Sequence, residues 1–420
     1  MFTETSDFLW YHLPIALRMI GQTSFTPEKG VLGIEQAYPL LAEMIQSFLI
    51  LLTGRLSAAN GVNVIGALMA SICIYVQFGQ EFSWRWFFTF LLSVPAIVLH
   101  MSIGYNDLFA GFMILIGFAG LCGLALDRRK IWSSCMVIIG LGCAMATKYP
   151  AWPSVFILVL FSGYYFFKKF RHERVLIINR SLFFIILLSI ATSYYPVRNF
   201  IRFGNPTFPL GTQSSASRDI PSYLINASRP VRFIHSVFEL NRLYGDQQYR
   251  WTYDQGSGVV TNHLRMGGWF YMTMIVLSTM LLYGILVRII PFSIVIPHLI
   301  IIVLIAFTAW SNVLRYFLFI PLNSIFLFCA YSGQYPAKIR NIGQITLALC
   351  ALFVLVTLRS EIFPLDLRTP AEHAPAAAKK FWTQNLNIPH AQAIKIKVPG
   401  AYPIFWSGPT FTEIPVVSDR

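Results

Sequence analysis

Four ionisable side chains lie beside long apolar runs, where they could do chemistry. Asp7 stands in Ser6-Asp7-Phe8-Leu9-Trp10-Tyr11-His12-Leu13-Pro14, and Asp107 in Gly104-Tyr105-Asn106-Asp107-Leu108. Lys148 follows Ala146-Thr147, and Arg315 ends Ser311-Asn312-Val313-Leu314-Arg315 ahead of Tyr316. Charges at membrane depth are costly, so each is a functional candidate. A carboxylate in such a place takes protons as a general base. Ammonium and guanidinium groups hold phosphate. One face carrying both suits a phosphate-bearing amphiphile. Plainer roles exist for each: Asp107 as the cap of a helix starting at Leu108, Lys148 and Arg315 as snorkelling boundary residues, and Asp7 as a solvated acid.

The elements that must position these groups follow from composition. The 420 residues are 56% hydrophobic and 12% charged, with mean hydropathy +0.60. Soluble domains average about 25% charged residues, so one polytopic membrane domain is expected. Ten spans are predicted at 62–79, 87–104, 108–126, 131–147, 151–167, 181–197, 269–287, 289–309, 316–333 and 342–358. Two shorter amphipathic segments, 8–20 and 38–53, fall below the roughly 20 residues a bilayer needs and read as interfacial or re-entrant helices. The second carries Glu43 and Gln46.

The net charge of +14 does not point to nucleic acid, because the cations occupy short breaks between spans. Twelve (Arg85, Arg128, Arg129, Lys130, Lys168, Lys169, Arg171, Arg174, Arg180, Arg288, Lys338 and Arg340) fall in every second break, against Lys148 and Arg315 in the short breaks between. By the positive-inside rule the first set is cytoplasmic. Three regions result: an extracytoplasmic 1–61 with juxtamembrane helices, a transmembrane bundle over 62–358 with an outer loop at 198–268, and an extracytoplasmic tail over 359–420. The outer loop, with eight arginines, no lysine and four acids from Arg198 to Arg265, reads as irregular. The tail shows two alternating runs, Ala393 to Val398 and Ile414 to Val417. Met1 to Asp7 has no leader-like character, so a first span upstream of Met1 is expected; if 38–53 spans instead, Asp7 is cytoplasmic.

The remaining candidates have simpler readings. All six cysteines fall in apolar runs and read as core residues. His100 reads as a buried, hydrogen-bonded histidine, and His298, beside Pro297, as a partner for backbone freed at a kink. No HExxH, CxxC, GxSxG or P-loop pattern occurs, leaving soluble-type hydrolase or ATPase chemistry without support. No cofactor is implied, and a divalent metal has no supporting pattern.

In this setting the chain resembles the GT-C glycosyltransferases, in particular the polyprenyl-phosphate-sugar-dependent branch that includes protein O-mannosyltransferases and the lipid A aminoarabinose transferase. Asp7 to Pro14 looks like that family's first outer loop, although Phe8 stands where a second acid is often found. Tyr38-Pro39-Leu40, with Glu35 nearby, resembles the start of another juxtamembrane helix. Gly104-Tyr105-Asn106-Asp107 is similar to the second outer-loop motif, and Thr147-Lys148 to a Thr-Lys turn whose lysine contacts carrier phosphate. Arg198-Asn199 with Gly204-Asn205-Pro206-Thr207-Phe208-Pro209 resembles an Arg-Asn…Gly-Asn-Pro…Pro signature, and Arg315-Tyr316 a late Arg-Tyr turn. The resemblance covers residues 5–335 and implies an all-α GT-C-like bundle in a bacterial plasma membrane, its site facing outward.

Its implied activity is inverting transfer from a polyprenyl-phosphate sugar to a lipid, glycan or protein acceptor. Asp7 would be the base, Lys148, Arg198, Arg202 and Arg315 would bind donor phosphate, and Asp107, Tyr11, His12, Glu43 and Tyr105 would position acceptor or sugar. Two alternatives are a transporter or flippase of a lipid-linked intermediate, and a catalytically degenerate relative. Transporters tend to carry midplane charges and internal repeats, neither of which is visible here.

Overall fold

A computed structural model describes residues 12–20, 38–101, 104–170, 176–208, 226–238, 270–308, 311, 313–357, 394–396 and 416–418. Asp7, Tyr11 and Glu35 lie outside the described residues. The helices in chain order are α1 (Leu13–Met19), α2 (Leu41–Thr53), α3 (Val62–Phe78), α4 (Trp84–Leu91), α5 (Pro95–His100), α6 (Asp107–Ala125) and α7 (Lys130–Met145). They continue as α8 (Trp152–Phe170), α9 (Leu176–Phe203), α10 (Arg229–Phe238), α11 (Phe270–Leu286), α12 (Phe292–Ala306), α13 (Phe319–Tyr331) and α14 (Ala337–Thr357). Strands β1 (Ile394–Ile396) and β2 (Val416–Ser418) pair in parallel, Ile394 opposite Val416. The two alternating runs of the tail thus meet.

Five helical stretches among the described residues are long and apolar enough to cross a membrane: Ala58–Glu81, Asp107–Ala125, Tyr149–Lys168, Leu314–Gln334 and Ala337–Val356. The Asp107–Ala125 and Leu314–Gln334 windows are 94% and 89% buried, whereas those of the other three are 28–44% buried. Helices apolar on every side belong either in a core or against lipid, and this contrast sorts them. α6 and α13 form the centre, while α3, α8 and α14 keep an apolar side outward, with residues such as Leu68, Phe156 and Leu349 exposed.

Close approach of α7 to α6 depends on small residues, as at helix interfaces in lipid. A Cβ on Gly140 would lie 2.6 Å from the Met113 carbonyl, and one on Gly120 2.7 Å from that of Ser133. No leucine-rich ridge could bring the two backbones this near.

The predicted span 87–104 is not one helix but two short ones, α4 and α5, broken at Leu92-Ser93-Val94. Pro95 at the first turn of α5 supplies the reason, since it has no N–H to continue a ladder. The loosened backbone is satisfied from neighbours, as it must be in an apolar bundle. Ser93 Oγ donates to the Phe90 carbonyl (2.6 Å), and Thr273 Oγ1 on α11 donates to the Ser93 carbonyl (2.9 Å). After α5, Asn63 Nδ2 bridges the carbonyls of His100 (2.6 Å) and Tyr105 (2.8 Å).

Two further expectations change. The outer loop is not irregular throughout, because α9 runs on to Phe203 and α10 folds inside the loop. His298 does not cap freed backbone. Its Nε2 meets Ser324 Oγ (3.0 Å), tying α12 to α13.

Candidate functional site

The site is built where α1, α2 and three turns converge at one end of α6. The basic turn Arg128 to Lys130 lies at the other end, about 28 Å away at 1.5 Å per residue. α2 presents an inverted face. Glu43, Gln46 and Ser47 point inward and are buried, while Met44, Phe48, Leu51 and Leu52 are exposed. Such a helix suits an apolar exterior with a polar interior site, not water outside. Its start is fixed by two bonds, Leu41 N–H to the Ala146 carbonyl (2.9 Å) and Leu40 N–H to the Tyr195 hydroxyl (3.0 Å). Ser47 Oγ donates to the Ala16 carbonyl (2.9 Å), clasping α1.

Within this frame His12, just before α1, hydrogen-bonds through Nδ1 to Glu43 Oε1, both side chains buried. Asn106 Nδ2 reaches the same carboxylate oxygen at 3.4 Å and the Thr147 carbonyl at 3.5 Å. Gln46 Nε2 donates to the Gly104 carbonyl at 2.7 Å, holding the turn that presents Tyr105 to Asp107. Asp107, the first residue of α6, where the helix dipole favours its charge, stands at a helix start whose N-cap residue, Asn106, makes no side-chain cap bond. Asp107 Oδ1 accepts from Lys148 Nζ at 2.5 Å, with Asp107 fully covered and Lys148 14% exposed.

The cations gather on aromatic rings. Lys148 Nζ lies 4.7 Å from the centre of Tyr316, and the Arg315 guanidinium 5.2 Å from the same ring. Arg315 also lies 4.9 Å over Tyr105. Tyr105 is fully buried and flanked by His12 edge-on (6.5 Å) and His100 (5.6 Å). His100 is satisfied at Nδ1 by the Ala96 carbonyl (2.7 Å). Arg315 is only 4% exposed, so it is not a snorkelling boundary residue.

Arg198 forms the edge of the cluster. Its Nη2 donates to the Tyr38 carbonyl (3.3 Å) and to Asn199 Oδ1 (2.9 Å), and its guanidinium covers Tyr195 at 4.4 Å. Asn199 Nδ2 in turn donates to the Tyr149 hydroxyl (2.6 Å) and to the Phe208 carbonyl (2.9 Å). Arg202, one turn further along α9, is exposed and joins none of these groups among the described residues. It lines, with Arg198, Ile190, Tyr194, Val197 and Ile201, an outward groove of about 440 Å³.

Four buried acceptor atoms in the cluster have no hydrogen-bond partner among the described residues: Glu43 Oε2, Gln46 Oε1, Asn106 Oδ1 and Asp107 Oδ2. Buried orphans of this kind are rare and each calls for a donor. A polyhydroxylated ligand brings several.

Of the residues singled out in the sequence, His12, Glu43, Tyr105, Asp107, Lys148 and Arg315 come together, Arg198 lies at the edge, and Arg202 stands apart. The linking residues Tyr149 and Tyr195 carried no signal beyond being tyrosines near span ends, where aromatic residues are common. No family model, curated protein or solved structure matches this chain.

Proposed function

We propose that the chain is a GT-C-type membrane glycosyltransferase that moves a sugar, with inversion, from a polyprenyl-phosphate donor to a lipid, glycan or protein acceptor, on the extracytoplasmic side of a bacterial plasma membrane. The observation that carries this reading is the convergence of Lys148 and Arg315 on the Tyr316 ring, from separate turns, beside the buried carboxylates Asp107 and Glu43. Two cations so close suit a phosphate, and an acceptor-rich wall suits sugar hydroxyls.

In this reading the acceptor oxygen or nitrogen attacks the anomeric carbon while the bond from that carbon to the phosphate oxygen breaks. Asp7 takes the acceptor's proton, and polyprenyl phosphate departs with the bonding electrons. Lys148, Arg198, Arg202 and Arg315 bind the donor phosphate, Lys148 and Arg315 holding the departing charge. Asp107, Tyr11, His12, Glu43 and Tyr105 position acceptor and sugar. Positioning and fixed charge supply most of the rate.

The test is incubation of the purified chain, in lipid nanodiscs, with labelled polyprenyl-phosphate sugars and candidate acceptors, reading release of polyprenyl phosphate. Release by the wild type that Asp7→Asn abolishes, with unchanged folding, is the expected result. Retained release in Asp7→Asn removes Asp7 as the base. No release from any donor overturns the glycosyltransferase reading.

A further inference from the structure

Lys148 and Asp107 are bound to each other, Nζ to Oδ1 at 2.5 Å, although sugar transfer needs the first for phosphate and the second for the acceptor. The two ends of this pair are mounted differently. Asp107 begins α6, whose apolar window is 94% buried, and its side chain is fully covered. Lys148 lies in extended backbone (φ −157°, ψ 137°) between α7 and the short turn Tyr149–Ala151, and its side chain is 14% exposed. A flexible four-carbon stem lets an ammonium swing, whereas a short carboxylate side chain on a packed helix stays in place. Lys148 is the arm that moves.

A phosphate meets two cations here, since Lys148 Nζ and the Arg315 guanidinium lie 4.7 Å and 5.2 Å from the centre of the Tyr316 ring. An ammonium has three donors, and in bulk water it could serve a phosphate and a carboxylate together. Two anions bonded to one nitrogen stand about 5 Å apart. Around a covered carboxylate there is little water to screen them, and like charges at that distance repel far more than in bulk solvent. One of the two gives way. If the arm leaves, Asp107 keeps the field of the α6 N-terminus and of nearby Arg315, which lies over Tyr105. Both of its oxygens then need a donor, Oδ2 having no partner among the described residues even when Lys148 is in place. An acceptor hydroxyl or amine brings one.

We propose that Asp107 and Lys148 form a charge latch on the phosphate site: donor phosphate draws the Lys148 ammonium off Asp107, and the bared carboxylate then takes up the acceptor, so that the donor binds first. The latch rests on the reading of Lys148 as a ligand of donor phosphate.

The test titrates the full chain in nanodiscs with geranylgeranyl phosphate, with geranylgeraniol as the phosphate-free control. Wild type, Asp107→Asn, Lys148→Met and the double variant are compared. With Lys148 present, Asp107→Asn should tighten phosphate binding about tenfold or more, the factor for one hydrogen bond to a charged group. In the Lys148→Met background the same change should gain about threefold or less, because only direct repulsion between the anions is then relieved. Equal gains in both backgrounds, or no gain in either, overturn the latch. If Lys148→Met does not fold, Lys148→Gln takes its place in the comparison. Infrared difference spectra of protein labelled with carbon-13 in its aspartate carboxyl groups give a second reading. Geranylgeranyl phosphate should shift one labelled band that Asp107→Asn lacks, and an unshifted band overturns the release of Asp107. None of these failures touches the sugar-transfer reading so long as wild type prefers the phosphate to the alcohol. Absence of that preference in all four proteins removes the phosphate site, and the latch and the transfer reading fall with it.

Discussion

Replacing Lys148 by Met should destabilise the bundle more than any other single change at the site. Asp107 is fully covered, and its Oδ1 is 2.5 Å from Lys148 Nζ. Its Oδ2 already has no partner among the described residues. Removing the ammonium takes the hydrogen-bond donor from a buried carboxylate and leaves Arg315 as its nearby cation, at a cost of about 3 kcal/mol, the low end for breaking a buried pair. Asp107→Asn should cost less, because Lys148 is 14% exposed and can turn its ammonium toward solvent. The double variant removes both charges and should be more stable than Lys148→Met alone. The lost contact of Lys148 with the Tyr316 ring enters both the single and the double variant, so it cancels in the cycle and leaves a coupling of about 2 kcal/mol or more. Unfolding free energies of the four proteins, measured by steric trapping in one bilayer composition, give this number. A coupling below about 0.5 kcal/mol, which is the scatter of independent sites, would refute the claim that the pair holds the turns together.

Two further outcomes are expected. Gly140→Ala should cost about 1–3 kcal/mol, since the new methyl would meet α6 backbone at 2.6 Å and interior overpacking costs this much. Gly163→Ala, with open space around its Cβ, should change thermal unfolding little, and equal effects at both sites would show that close approach of α6 and α7 is not limiting. Glu43→Leu should loosen α1, because it removes the buried partner of His12 at about 1–3 kcal/mol. Hydrogen–deuterium exchange over residues 12–20 should rise in Glu43→Leu, rise less in Glu43→Gln, and stay constant over α6 in both.

Much of the bundle was legible because lipid imposes a coarse rule on sequence. Apolar runs of span length must be helices, and the runs at 62–79, 108–126 and 342–358 became α3, α6 and α14 within a few residues. The run 87–104 misled, because hydropathy does not register Pro95 or the carbonyls that Thr273 and Asn63 satisfy from other helices. The amphipathic character of α10 lay in the spacing of Val231, Ile234 and Phe238, but was masked by the polar composition of the loop around it.

The sequence by itself determined that the chain is a helical membrane protein and which charges stand at span boundaries. Those are local properties, set by hydropathy and by the cost of a charge in lipid. Only the tertiary structure decided which of those charges meet. Asp107 and Lys148 are separated by 41 residues, and His12 and Glu43 by 31, and nothing in either stretch names the other. Their pairing depends on small residues that let α6 and α7 approach, and on the bonds from Tyr195 and Ala146 that set the start of α2. Arg202 shows the same point in reverse. Its type and place resembled those of Arg198, yet one further turn of α9 carries it out of the cluster.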